Sequence, residues 1–66
     1  MNIVINGEQH QVPDEVTLDG AVSMVTGAAS GVAAAVNGDV IRRVAWASTR
    51  LAAGDQVEVV TAVQGG

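Results

Sequence analysis

Gly54-Asp55-Gln56-Val57-Glu58-Val59-Val60-Thr61-Ala62-Val63 is the stretch whose reading decides the fold. Gly54-Asp55 is a turn signal, and Val57, Val59, Thr61 and Val63 alternate with the period of two that marks a strand. A strand this rich in valine wants neighbours on both sides, so it is expected at the centre of a sheet. Working outward, Ile3-Val4-Ile5 is a β-branched run ended by Asn6-Gly7, the strongest two-residue hairpin signal. Residues 9–12 then return as a second strand, stopped by Pro13-Asp14. A second Asn-Gly, at Asn37-Gly38, joins alternating Val32, Ala34 and Val36 to Val40-Ile41.

Between the hairpins lies one helix. Thr17 is placed to cap its N-terminus, and Leu18, Ala21, Val22 and Val25 fall at i, i+3, i+4 and i+7, on one face. Gly20 weakens it by roughly 1 kcal/mol relative to Ala, and Gly27 is expected as a left-handed C-terminal cap. Residues 42–53 hold no clean period and read as a loop with a turn of 3₁₀ helix, from which Trp46 and Leu51 cover the open end of the core. The order is hairpin, helix, hairpin, strand. A single helix can cover one face of a single mixed sheet of about five strands. With the last strand parallel to the first, that is an α+β fold, the β-grasp or ubiquitin-like roll. The domain is expected over residues 1–63, with residues 64–66 as a flexible tail.

Composition narrows the function. Seven Asp and Glu face three arginines, for a net charge of −4, with no Lys and one aromatic residue. Phosphate-backbone binding needs clustered positive charge and single strands need aromatic stacking, so nucleic acid is set aside. Acidity suits a partner with a basic docking face. With no Cys there is no disulfide framework, thiolate metal site or cysteine nucleophile. No basic-then-apolar leader opens the sequence, and no apolar run nears the ~20 residues that cross a bilayer. A soluble, cytoplasmic protein without membrane contact is expected.

The chemistry is expected at the end, Gln64-Gly65-Gly66. Glycine lacks Cβ, so the walls of a narrow channel can close on its backbone from both sides. The Gly66 carboxylate is the distinctive group there, with Gln64 and Gly65 as the residues threaded behind it. Other side chains carry less. His10 stands alone and reads as a solvated strand histidine. Asp14, Glu15 and Asp19 suit the start of a helix, where its dipole favours negative charge. Arg43 beside Trp46 is a candidate for partner docking, the other reading being a local structural role.

Several of these stretches together resemble the thiamine-biosynthesis sulfur carrier family, ThiS. The resemblance rests on Asn6-Gly7-Glu8, on Val36-Asn37-Gly38 with Arg43 and Trp46, on Leu51 and Gly54-Asp55, and on Val57-Glu58-Val59 with Ala62-Val63-Gln64-Gly65-Gly66. It is departed from in two places: Gly20-Ala21 stands where that family usually has two leucines, and Arg42 where a proline is common. The resemblance implies a protein co-substrate, not an enzyme. It implies a ThiF-like, E1-related adenylyltransferase that uses ATP and Mg²⁺ to turn the Gly66 carboxylate into an acyl-adenylate. A persulfide donor then supplies the sulfur of a Gly66 thiocarboxylate, delivered to thiazole synthase. No cofactor or metal bound by the chain itself is expected. The neighbouring readings are the small subunit of molybdopterin synthase, a carrier for another sulfur pathway, and a non-covalent β-grasp interaction module.

Overall fold

The Ile3-Val4-Ile5 run forms strand β1 (Asn2–Ile5), and the chain reverses at Asn6-Gly7 into β2 (Glu8–Gln11), antiparallel, with Ile3 opposite His10. The structure is a computed structural model and describes residues 1–28 and 30–61. Asn6 and Gly7 both take positive φ, 51° and 84°, which the two-residue hairpin needs and which Asn and Gly tolerate. The same geometry recurs at Asn37 (50°) and Gly38 (87°), between β3 (Val32–Val36) and β4 (Asp39–Ile41). Each Asn-Gly pair therefore makes a hairpin, as its residues demand.

Helix α1 spans Leu18–Val25. Thr17 is extended and its hydroxyl accepts from the Gly20 N–H, while the Leu18 N–H donates to the Thr49 carbonyl at 2.8 Å. Two of the N–H groups that a helix start leaves without partners are thereby satisfied. Leu18, Ala21 and Val22 are buried on one face. Val25, expected with them, is 41% exposed, because it is the last helical residue, where the chain departs. The expected cap at Gly27 is also corrected. The helix ends in extended backbone at Thr26 (φ −150°), whose N–H donates to the Val22 carbonyl and whose hydroxyl accepts from the Ala28 N–H. The chain leaves the helix directly in extended backbone at Thr26, so no left-handed residue is required there, and the Thr26 hydroxyl steadies the turn that follows. The positive φ of this connection falls at Gly31 instead.

Residues 42–53 contain a longer ordered piece than a single turn, a 3₁₀ helix at Arg43–Ser48. The last strand, β5 (Gln56–Thr61), lies at the centre of the sheet, whose order is β2-β1-β5-β3-β4. It runs parallel to β1, with Ile5 opposite Val57, and antiparallel to β3, from Val36–Val57 to Val32–Thr61. Alternation buries Ile3 and Ile5 of β1, Val57 and Val59 of β5 and Ala34 of β3 against Leu18, Ala21 and Val22 of α1. Each fully buried Ile, Leu or Val side chain of this set contributes about 1.5–3 kcal/mol. Among the described residues no helix lies over the opposite face of the sheet. This is the β-grasp arrangement of one helix on a five-stranded mixed sheet.

Candidate functional site

β5 is the element that leads toward the Gly-Gly end, so what fixes β5 fixes the point of departure. On one side its ladder to β3 runs from Val57 to Thr61. On the other, backbone pairing with β1 covers only Gln56 and Val57, because β1 turns away at Asn6. The Asn6 amide takes over at that point. Its Oδ1 accepts from the Val59 N–H at 2.9 Å and its Nδ2 donates to the Val59 carbonyl at 3.1 Å, while the Asn6 N–H donates to the Val57 carbonyl at 2.9 Å. A side-chain amide has the donor and acceptor of a peptide group, so Asn6 lengthens the β1 ladder by one rung.

Asn37 holds the beginning of β5. Its Oδ1 accepts from the Gln56 N–H at 3.0 Å, its N–H donates to the Gln56 carbonyl at 2.7 Å, and its Nδ2 donates to Asp55 Oδ1 at 3.0 Å. The other oxygen of Asp55 accepts from the Ala52 N–H at 2.7 Å, closing the Gly54-Asp55 turn. Sequence reasoning saw both asparagines only as turn residues. The signal to read was that Asp-Gly or Gly-Gly also make such turns, whereas Asn in both brings an amide with two donors and an acceptor.

The expected site residues Gln64, Gly65 and Gly66 lie outside the described residues, as does Val63 at the expected domain boundary. Of the two docking candidates, Trp46 is corrected. It is 3% exposed, belongs to the core with Leu51, and its indole N–H donates to the Ile41 carbonyl at 2.9 Å. A ring with no free surface cannot meet a partner, so the covering role is the one it fills. Arg43 is exposed and its guanidinium lies over the Trp46 ring, 5.2 Å from the centroid. The charge is thus carried by a rigid support while its donors face water, an arrangement worth about 0.5–1 kcal/mol at an exposed site.

The remaining candidates stay apart. His10 is on β2, paired with Ile3, and among the described residues no three His, Cys, Asp or Glu gather as a metal site. Asp19 lies in the first turn of α1, and Asp14 meets the terminal ammonium of Met1 at 3.3 Å. No described helix is long and apolar enough to cross a membrane. Among the described residues no buried polar side-chain atom lacks a hydrogen-bond partner.

Comparison with known proteins agrees with this geometry. The chain is similar to the crystal structure of the thiamine biosynthesis protein ThiS from Geobacter metallireducens, at 29% identity and a TM-score of 0.82, covering 100% of both chains. It is equally similar to the solution structure of a thiamine biosynthesis protein from the same organism, at 29% identity and a TM-score of 0.80, covering 100% of this chain and 88% of that one. No curated protein matches the sequence significantly. The family model for ThiS matches residues 3–66, nearly the whole length and through both terminal glycines, and the chain belongs to the ThiS family.

Proposed function

We propose that this protein is a sulfur carrier of thiamine biosynthesis and that Gly66 is the residue that carries the sulfur. The observation that supports this most is the family match over residues 3–66, which includes the Gly-Gly end. A C-terminal carboxylate has a reference pKa of about 3.3–3.7, so at neutral pH it is ionised and inert as an acyl donor. Activation joins a carboxylate oxygen to the α-phosphorus of ATP while the bond to pyrophosphate breaks. The charge that develops calls for Mg²⁺ and cationic donors. A ThiF-like adenylyltransferase supplies them. The terminal sulfur of a persulfide then displaces AMP from the acyl carbon, and cleavage of the resulting S–S bond by a thiol leaves the thiocarboxylate. Thiazole synthase takes the sulfur. The carrier is a co-substrate, and its domain serves to present the tail.

The test is pyrophosphate exchange with the adenylyltransferase, together with intact mass of the protein from sulfur-replete cells. Deleting Gly66, or adding an alanine after it, moves the reacting oxygen by about 3.3–3.6 Å, one residue of extended chain. Exchange should collapse, since a misplacement of about 1 Å already costs on the order of a hundredfold. The mass of the natural protein should show one oxygen replaced by sulfur. Parental exchange by both altered chains, with no sulfur-bearing species, would leave the non-covalent interaction module as the better account.

A further inference from the structure

The two Asn-Gly turns carry a reactivity that the tail chemistry does not use. The amide carbon of an asparagine side chain is an electrophile, and the backbone nitrogen of the next residue is a nucleophile within its reach. Glycine as that next residue leaves the nitrogen open, because no Cβ crowds the approach. The chain has three asparagines, and Asn2 is followed by Ile3, whose branched Cβ shields its nitrogen. Asn6 and Asn37 are followed by glycines at φ 84° and 87°, where an added Cβ would meet nothing within 4 Å. Sequence, backbone and access are therefore alike at the two turns. They differ in what holds the amide.

For attack, the amide must leave its partners and swing toward the glycine nitrogen. The Asn6 amide is held at both of its atoms by Val59 of the central strand, through partly buried bonds of 2.9 and 3.1 Å. Freeing it opens the middle of the sheet. The Asn37 amide is held by the Gln56 N–H and by Asp55 Oδ1, each at 3.0 Å and each exposed, so water replaces both partners. Its turn leads into β4, a strand of three residues at the sheet edge, and local opening there disturbs little else. Asp19-Gly20 has the same spacing, but its glycine N–H sits in α1 and donates to the Thr17 hydroxyl.

We infer that Asn37-Gly38 is a site of spontaneous deamidation in the folded protein, and that Asn6-Gly7 is protected from it. The Gly38 nitrogen gives its proton to hydroxide and bonds to Asn37 Cγ, and the Cγ–Nδ2 bond breaks to release ammonia. Water then opens the cyclic imide at one or other of its carbonyl carbons, leaving aspartate or isoaspartate. The net change is a water consumed and an ammonia released, with no oxidation or reduction. In the aspartyl product the donor that faced Asp55 Oδ1 becomes an anionic oxygen, and like charges meet at hydrogen-bond distance. In the isoaspartyl product the main chain gains a methylene, which a two-residue turn joining Val36 to Asp39 does not absorb without losing register. Either product removes the bond that fastens the Gly54-Asp55 turn to the β3–β4 turn, at the start of β5. None of this chemistry involves Gly66, so the site stands or falls apart from the sulfur-carrier reading.

The experiment incubates the whole chain in warm, mildly alkaline buffer, folded and, in parallel, unfolded in guanidinium chloride. Peptide mapping by mass follows the exchange of NH for oxygen at each asparagine, and an isoaspartyl methyltransferase with a labelled methyl donor counts the isoaspartyl product. In denaturant the two Asn-Gly sites should react within about twofold of each other, since local sequence alone then sets the rate. In the folded protein Asn37 should react about tenfold faster than Asn6 or more, the effect of the bonds that hold Asn6 to Val59. Equal rates in the folded protein, a faster Asn6, or an Asn37 that reacts only in denaturant would each overturn the site. The consequence is read in Asn37→Asp, which reproduces the aspartyl product alone. Its unfolding midpoint should fall below the parent's, and adding Asp55→Asn should restore about half of that loss or more, because position 55 then supplies the donor. A double variant no more stable than Asn37→Asp would show that the two carboxylates do not meet and that the loosening at the start of β5 is wrong.

Discussion

Asn6-Gly7 and Asn37-Gly38 are the same turn in two places, with φ values that agree within three degrees, yet their side chains hold different things. The Asn6 amide is partly buried and grips both backbone groups of Val59, fifty-three positions away. The Asn37 amide is exposed and divides itself between the Gln56 N–H and the Asp55 carboxylate. The first supplies a rung where a parallel ladder has run out. The second fastens one turn to another at the opposite end of the same strand. Local sequence specifies the reversal in both cases, and the surroundings decide what the spare amide is used for.

The comparison breaks most visibly at Asn6. Asn6→Ala removes two partly buried hydrogen bonds, about 0.5–1.5 kcal/mol each, and puts a Cβ without a helpful amide at positive φ, so a loss of about 2–4 kcal/mol is expected in urea unfolding. Asn6→Gly keeps the turn and drops only the amide, so it should lie between that variant and the parent. Asn37→Ala should cost about 1–2 kcal/mol, because its bonds are exposed and water replaces them. Equal losses at the two asparagines would show that the turn conformation matters and the clamp on Val59 does not.

A reversal with no side-chain clamp sharpens the contrast. Arg42 enters the 3₁₀ helix at φ −66° without a capping bond from its side chain, and Ile41 before it is in a strand. Proline fixes φ near −65° and wants an extended residue ahead of it. Arg42→Pro should therefore raise stability by about 0.4–1 kcal/mol, acting through the unfolded chain. A loss on thermal or urea unfolding would mean that the Arg42 N–H or side chain is needed. The smallest effect is expected at Gly20. Alanine there gains about 1 kcal/mol of helix propensity, but its Cβ would stand 3.2 Å from Val16 Cγ2. The two nearly cancel, and Gly20→Ala should move the unfolding midpoint by no more than about 0.5 kcal/mol in equivalent stability.

How far the sequence can be read depends on the range of the forces involved. The hairpins, the cap at Thr17 and the strand Val32–Val36 depend on contacts within a few residues, and each is visible in its own stretch. The central place of β5 was legible because its valines need cover on two sides. Trp46 was harder. A 3₁₀ helix has no apolar stripe of period 3.6, and whether its indole turns in depends on the carbonyl of Ile41 being within reach. Gly27 misled because glycine is the usual cap, whereas here the chain already leaves the helix in extended backbone at Thr26. Of the docking pair, Arg43 is exposed, and the gathering of Ala33, Ala35, Val40 and Val60 on the open face gave no signal, since they meet only through strand register.

The central position of β5 also has a meaning for how the protein is made. The hairpins β1–β2 and β3–β4 pair with β5 and not with each other, so the strand synthesised after them is the one that joins them. A nascent chain interrupted before Gln56 has two separate ribbons and a short helix, none of which is stable alone in water. Folding therefore waits for the C-terminal strand to emerge, rather than proceeding from the N-terminus as larger proteins do. A product cut short by premature release is left unfolded and open to proteolysis. Under the carrier reading, a folded domain lacking β5 never arises to occupy the adenylyltransferase without a carboxylate to offer it.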